Sequence, residues 1–146
     1  MSIGSYGALN LLELHFEFLK MKKVIRTQQA PEPIGPYNQA IKAGNLLFVS
    51  GQIALNPQTG ELLTGDLETE THQVMKNLQA IVSEAGFTFK QIVKTTIFLA
   101  DMGYFSTVNE VYSTYFESEF PARETVQAAG LPKGVNVEIS VIASLD

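Results

Sequence analysis

The stretch Ile92-Val93-Lys94-Thr95-Thr96-Ile97-Phe98-Leu99-Ala100 decides the fold. It is rich in β-branched residues, which pack well on a pleated sheet and lose rotamer freedom in a helix. Upstream of it, Val74, Leu78, Ile81, Val82 and Ala85 recur at helical spacing, with Glu68, Glu70, Lys76 and Glu84 elsewhere on the wheel. Gly86 is placed to end that helix, so the pattern predicts one from about Glu68 to Ala85. Downstream, Asp101 is a good N-cap for a second helix, whose apolar stripe is Phe105, Val108, Tyr112, Tyr115 and Phe116 and which Phe120-Pro121 stops.

Further out lie the other strands. Lys22 to Arg26 leans toward β structure, and three prolines and a glycine hold Gln28 to Pro36 as an irregular loop that ends at Tyr37. Ala40 to Ala43 and Leu46 to Ser50 flank Gly44-Asn45, which reads as a tight hairpin turn. Glu124 to Ala128 and Val135 to Ser144 supply the last strands, joined through Gly130-Leu131-Pro132-Lys133-Gly134. The order predicts an α+β domain, a single sheet of five or six strands with two helices on one face. Leu46-Leu47-Phe48-Val49 is apolar on both sides, which calls for cover on both faces. Two helices cover only one, so a homo-oligomer is expected to bury the other.

A length of 146 residues fits one such domain, because two cores of half that size would each bury too little surface. At 45% hydrophobic and 17% charged the chain is neither disordered nor coiled-coil. A net charge of −5 works against binding a phosphate backbone, so no nucleic-acid partner is expected. With no cysteine there is no disulfide, thiol nucleophile or thiolate metal site, and two histidines without partners give no zinc motif. No apolar run is long enough to span a membrane, and a cytoplasmic location is permitted. The first 20 residues lack the basic start of a signal peptide, and Glu13, His15 and Glu17 interrupt their apolar run. Leu12, Leu14, Phe16 and Phe18 alternate with those polar residues at the period of a strand, which fits better than a short amphipathic helix. Met21 is a plausible translation start, so residues 1–20 read as an extension of a domain spanning 21–146.

The nucleotide-, zinc- and serine-hydrolase signatures are all absent, which leaves a few scattered polar residues. Arg26 and Arg123 are the two arginines. Arg123 follows Phe120-Pro121-Ala122 at a strand start, where a guanidinium either clamps a carboxylate or forms an ordinary surface ion pair. Glu138 lies with Asn136 and Ser140 opposite Val137, Ile139 and Val141. It is either a half-buried carboxyl suited to acid/base work or a solvent-facing one. Asn109 borders the second helix's apolar stripe, Tyr37 is a lid or an anchor, and Ser50-Gly51 is a place for ligand approach or a plain bulge. His72 reads as an exposed position on the first helix.

Together, Gly35-Pro36-Tyr37, Ser50-Gly51-Gln52-Ile53, Val93 to Leu99, Val108-Asn109-Glu110-Val111-Tyr112, Phe120-Pro121-Ala122-Arg123 and Val137-Glu138-Ile139 resemble the RidA/YjgF family of imine and enamine deaminases. The resemblance runs from Met21 to Asp146 and implies a chorismate-mutase-like subunit, with one mixed sheet, in a homotrimer whose active sites lie between subunits. It implies hydrolysis of 2-imino acids such as 2-iminopropanoate and 2-iminobutanoate to 2-oxo acids and ammonia, with no metal or cofactor. Carried onto this chain, Arg123 holds the substrate carboxylate and Glu138 positions or activates the water. Tyr37, Ser50, Gly51, Asn109 and Thr125 fall at pocket positions. Thr125 stands where many members have Cys, and Ser140 where an acidic residue is common. The competing expectation is a trimer that binds small carboxylates without turnover, since a fold does not establish an activity. A nuclease or translation-inhibitor role, attached to some relatives, ranks third.

Overall fold

The computed structural model describes residues 8–146. In chain order the elements are α1 (Leu11–Lys20), β1 (Lys22–Ile25), β2 (Ala40–Ala43), β3 (Leu46–Gln52), α2 (Leu67–Glu84), β4 (Ile92–Leu99), α3 (Phe105–Ser113), β5 (Ala122–Gln127) and β6 (Val137–Ser144). The strands form one six-stranded sheet in the order β1-β2-β3-β6-β4-β5. Its pairs are antiparallel except β4 with β5, which makes the sheet mixed, as expected.

The register fixes which side chains share a face. Ile25, Ala40, Val49, Val141, Thr95 and Arg123 are successive partners across all six strands. Most of this row is buried under α2 and α3, with Val137, Ile139, Ile97 and Leu99 beside it. The next row, Val24, Ile41, Phe48, Ile142, Lys94 and Ala122, projects to the other face because side chains alternate. Among the described residues α2 packs on the first face, and on this one Leu46 and Phe48 are 39% and 43% exposed. The described residues therefore bury one face of the sheet and leave apolar side chains exposed on the other.

Asp66 caps α2 by accepting from the Thr69 N–H, and Gly86, at φ 81°, turns the chain away after it. Asp101 caps the single turn Met102–Tyr104 that leads into α3. That helix stops at Ser113, well before Phe120-Pro121: Ser113 Oγ donates to Glu110 O and Thr114 Oγ1 to Val111 O. The hydroxyls share the last carbonyls with tightened backbone bonds, Thr114 N–H to Val111 O and Tyr115 N–H to Tyr112 O, in which the helix ends. Tyr115 and Phe116 lie beyond the helix, packed against the core from a turn.

The N-terminal segment departs from expectation. Leu12 to Phe18 lie in helix α1 and not in a strand. Asn10 Oδ1 accepts from the Glu13 N–H, and Glu13 Oε2 from the Asn10 N–H, a reciprocal box that starts a helix. A strand needs a ladder partner, and β1, at the sheet edge, begins only at Lys22. Residues 11–17 of the helix are exposed, with Leu11 at 87%. Among the described residues no helix is long and apolar enough to cross a membrane.

Candidate active site

The sequence-selected residues gather in two places. The first begins at a β-bulge in β3, where Val49 pairs with Val141 and Gln52 with Ile139, so one extra residue is inserted at Ser50-Gly51. The bulge brings Gly51 against Glu138 of β6. A Cβ on Gly51 would collide with Glu138 Oε1 and lie 2.9 Å from its Cδ, so only glycine leaves room for this carboxyl. Ser50 Oγ donates to Asn38 O at 2.6 Å.

Tyr37 comes from the proline-rich loop, which is held from inside by Gln39. This buried side chain accepts from the Thr27 N–H and donates toward the carbonyls of Thr27, Ala30 and Pro31. Tyr37 Oη in turn accepts from the Ile34 N–H at 3.3 Å. Tyr37, Ser50, Gly51 and Glu138 thus line a cavity of about 340 Å³, walled by Ile34, Ile53 and Pro132. Glu138 has no hydrogen-bond or ionic partner among the described residues. Burial without compensation pushes its carboxyl above the ordinary value of 4.5.

The second place is built on α3 and the start of β5. Asn109 and Arg123 line a cavity of about 430 Å³ together with Tyr112, Ser113, Phe120 and Pro121. The Arg123 guanidinium lies over the ring of Tyr112 at 5.0 Å and that of Phe105 at 5.7 Å. It has no carboxylate partner among the described residues, so the surface ion pair does not form. Tyr112 is itself fixed, its Oη 2.9 Å from Thr95 Oγ1. Burial pushes that phenol's pKa up, so it stays protonated under Arg123 as a neutral platform.

Within one chain the two cavities do not meet. Arg123 is in the row that contains Thr95 and faces α3, whereas Glu138 pairs with Phe98 and faces the uncovered side. Thr125 lines neither cavity, and its Oγ1 is buried without a partner among the described residues. His72 is only partly exposed, with Nδ1 2.8 Å from Tyr115 Oη. A larger groove of about 670 Å³ along α2, lined mainly by polar side chains, contains none of these residues. Sequence reasoning missed Ile34 and the connector residue Pro132 as cavity walls. Their signal, apolar residues in Pro/Gly-rich loops, does not distinguish a wall from a turn.

A single mixed sheet with α2 and α3 on one face, carrying these motifs, is the architecture of a RidA/YjgF-type subunit. The sequence profile described as endoribonuclease L-PSP matches residues 27–145, and the chain belongs to that family. The Mus musculus protein named 2-iminobutanoate/2-iminopropanoate deaminase is 48% identical over 123 residues, covering 84% of this chain and 91% of its own. Among solved structures, the YjgF gene product of E. coli is 44% identical with a TM-score of 0.81, covering 85% of this chain and 99% of that one. E. coli TdcF with bound serine is 42% identical with a TM-score of 0.82, at 85% and 99% coverage.

Proposed function

We propose that this protein hydrolyses small 2-imino acids to 2-oxo acids and ammonia, in sites completed between copies of the chain. One observation carries the reading. A guanidinium and a carboxyl of raised pKa, each without a partner among the described residues, stand in separate cavities on opposite faces of one sheet. A 2-imino acid needs both groups: a cation for its carboxylate and a base for the attacking water.

Arg123 orients the substrate with two parallel hydrogen bonds. Glu138 takes a proton from water as the oxygen bonds to the electrophilic imine carbon. Glu138 returns that proton to the nitrogen to give a carbinolamine; it then carries the hydroxyl proton to the nitrogen as well, and the carbon–nitrogen bond breaks as the carbonyl forms and ammonia leaves. The chemistry needs orientation and proton transfer from the protein's own side chains. Support for the substrate class comes from the deaminase name of the mouse relative and from serine, an amino acid with a free carboxylate, in the E. coli structure.

The placement of the two groups favours a head-to-tail contact between unlike faces, and such contacts close into rings. The family resemblance gives the ring three members, and the exposed Leu46 and Phe48 supply apolar surface for it. Residues 21–146 constitute the working domain, and a chain begun at Met21 is expected to assemble and work. The description of the family profile raises RNA cleavage as a second reading. The net charge of −5 works against binding an RNA backbone, and the apolar walls around Glu138 favour a small acid with an apolar side chain instead.

Ammonia release from freshly generated 2-iminopropanoate and 2-iminobutanoate tests the reading. Acceleration over the protein-free rate is expected; tight carboxylate binding with no acceleration would favour the binding-protein alternative. Gly51→Ala offers a narrower test. The glutamate side chain is flexible and gives way to the new methyl group, so the melting temperature changes little. The displaced carboxyl costs about 10²-fold in rate, the scale of a 1 Å misplacement. Wild-type turnover in this variant would remove Glu138 from the reaction.

A further inference from the structure

Glu70 reads in the sequence as one of the polar positions of its helix, yet its side chain is 0% exposed. No cation accompanies it among the described residues. Its two oxygens both point at one residue: Oε1 accepts from the Asn136 backbone N–H and Oε2 from Asn136 Nδ2, each at 2.8 Å. The Asn136 carbonyl accepts from the Ala100 N–H at 2.9 Å. Asn136 is thus clamped between α2 and the end of β4, through its backbone and its side chain together.

The clamp sits where the chain most needs one. On one side of Asn136, Lys133 and Gly134 adopt φ values of 57° and 66°, a left-handed pair that is costly for lysine. This turn sets Pro132 at the cavity wall. On the other side, two residues on, is Glu138. We infer that Glu70 is a positioning residue for the reaction: through Asn136 it fixes both Glu138 and the Pro132 wall that shields it from bulk solvent. The inference rests on the role proposed above for Glu138.

Both carboxyl oxygens act as acceptors, so an amide cannot substitute. In Glu70→Gln one position presents an N–H to another N–H donor, and the clamp opens. The Arg123 half is untouched, so KM for the imino acid stays near wild type while kcat falls by up to about 10²-fold. A second readout separates positioning from general weakening. With the wall loosened, Glu138 is better hydrated, and the acid limb of the pH–rate profile moves to lower pH. Around Glu138, the loop contributes Tyr37, β3 contributes Gly51, β4 contributes Phe98 and the connector before β6 contributes Pro132; among the described residues lining this cavity Tyr37 is the one other ionisable group.

The double variant Glu70→Gln/Asn136→Asp exchanges amide and carboxylate between the two positions. The amide oxygen now on α2 still accepts from the backbone N–H of position 136, and the amide N–H donates to the carboxylate introduced there. This variant is expected to restore kcat and return the limb to its wild-type position, and it serves equally if the single variant fails to fold. An unchanged kcat and limb in a folded Glu70→Gln would overturn the inference, as would a folded double variant that stays as slow as the single one. A wild-type protein without deaminase activity would instead count against the proposed function, so the two failures are distinct.

Discussion

Arg123→Ala is expected to lower kcat/KM for a 2-imino acid by two to three decades or more. The guanidinium stands free of any carboxylate among the described residues, held over Tyr112 and Phe105. A substrate carboxylate placed there forms a shielded charge pair, and removing one partner of a buried pair costs about 3 to 5 kcal/mol. At about 1.4 kcal/mol per decade, that is the loss expected. Arg123→Lys rescues poorly, because an ammonium lacks the planar fork and stacks less well on the rings. Steady-state kinetics on folded variants checks this; a near-normal kcat/KM in Arg123→Ala would remove the anchor from the account.

Glu138→Gln is expected to act on a different quantity. Removing a general base typically costs about 10² to 10⁴ in rate. The amide keeps the shape of the side chain, so kcat falls while affinity for a 2-oxo acid such as pyruvate persists. The pH dependence follows from the direction of the carboxyl's shift. Burial favours the neutral form, so on acidification the group protonates above the ordinary 4.5. The base is present above that pKa and lost below it, which gives the wild-type rate an acid limb that Glu138→Gln lacks. Retention of both kcat and the limb would make Glu138 structural.

Much of the fold can be read from local patterns. The helical spacing of Val74, Leu78, Ile81 and Val82 and the alternation of Val137, Ile139 and Val141 give α2 and β6 directly, because burial against one neighbour imposes the period. Residues 12–18 show where that fails. Their alternation has the period of a strand, yet Asn10 with Glu13, a capping box at the start of the segment, begins a helix there. For the site, the motifs identify Arg123 and Glu138, but no local pattern says that they face opposite ways. That depends on β5 pairing in parallel with β4 while β6 runs antiparallel on its other side, a long-range arrangement. Glu70 was hidden for a related reason: its partner Asn136 is 66 residues away, and a helical wheel records only neighbours within the helix.

In the proposed assembly each site takes Arg123 from one copy and Glu138 from another. Mixing the two inactive variants tests it most directly. Arg123→Ala and Glu138→Gln chains, each assayed alone, are unfolded together in equal amounts, refolded, and assayed for ammonia release. In a ring of mixed copies, about one site in four joins the intact arginine of one variant to the intact glutamate of the other. Recovery toward a quarter of wild-type activity is the predicted result. Mixed assemblies that form but remain as inactive as either parent would contradict the shared site.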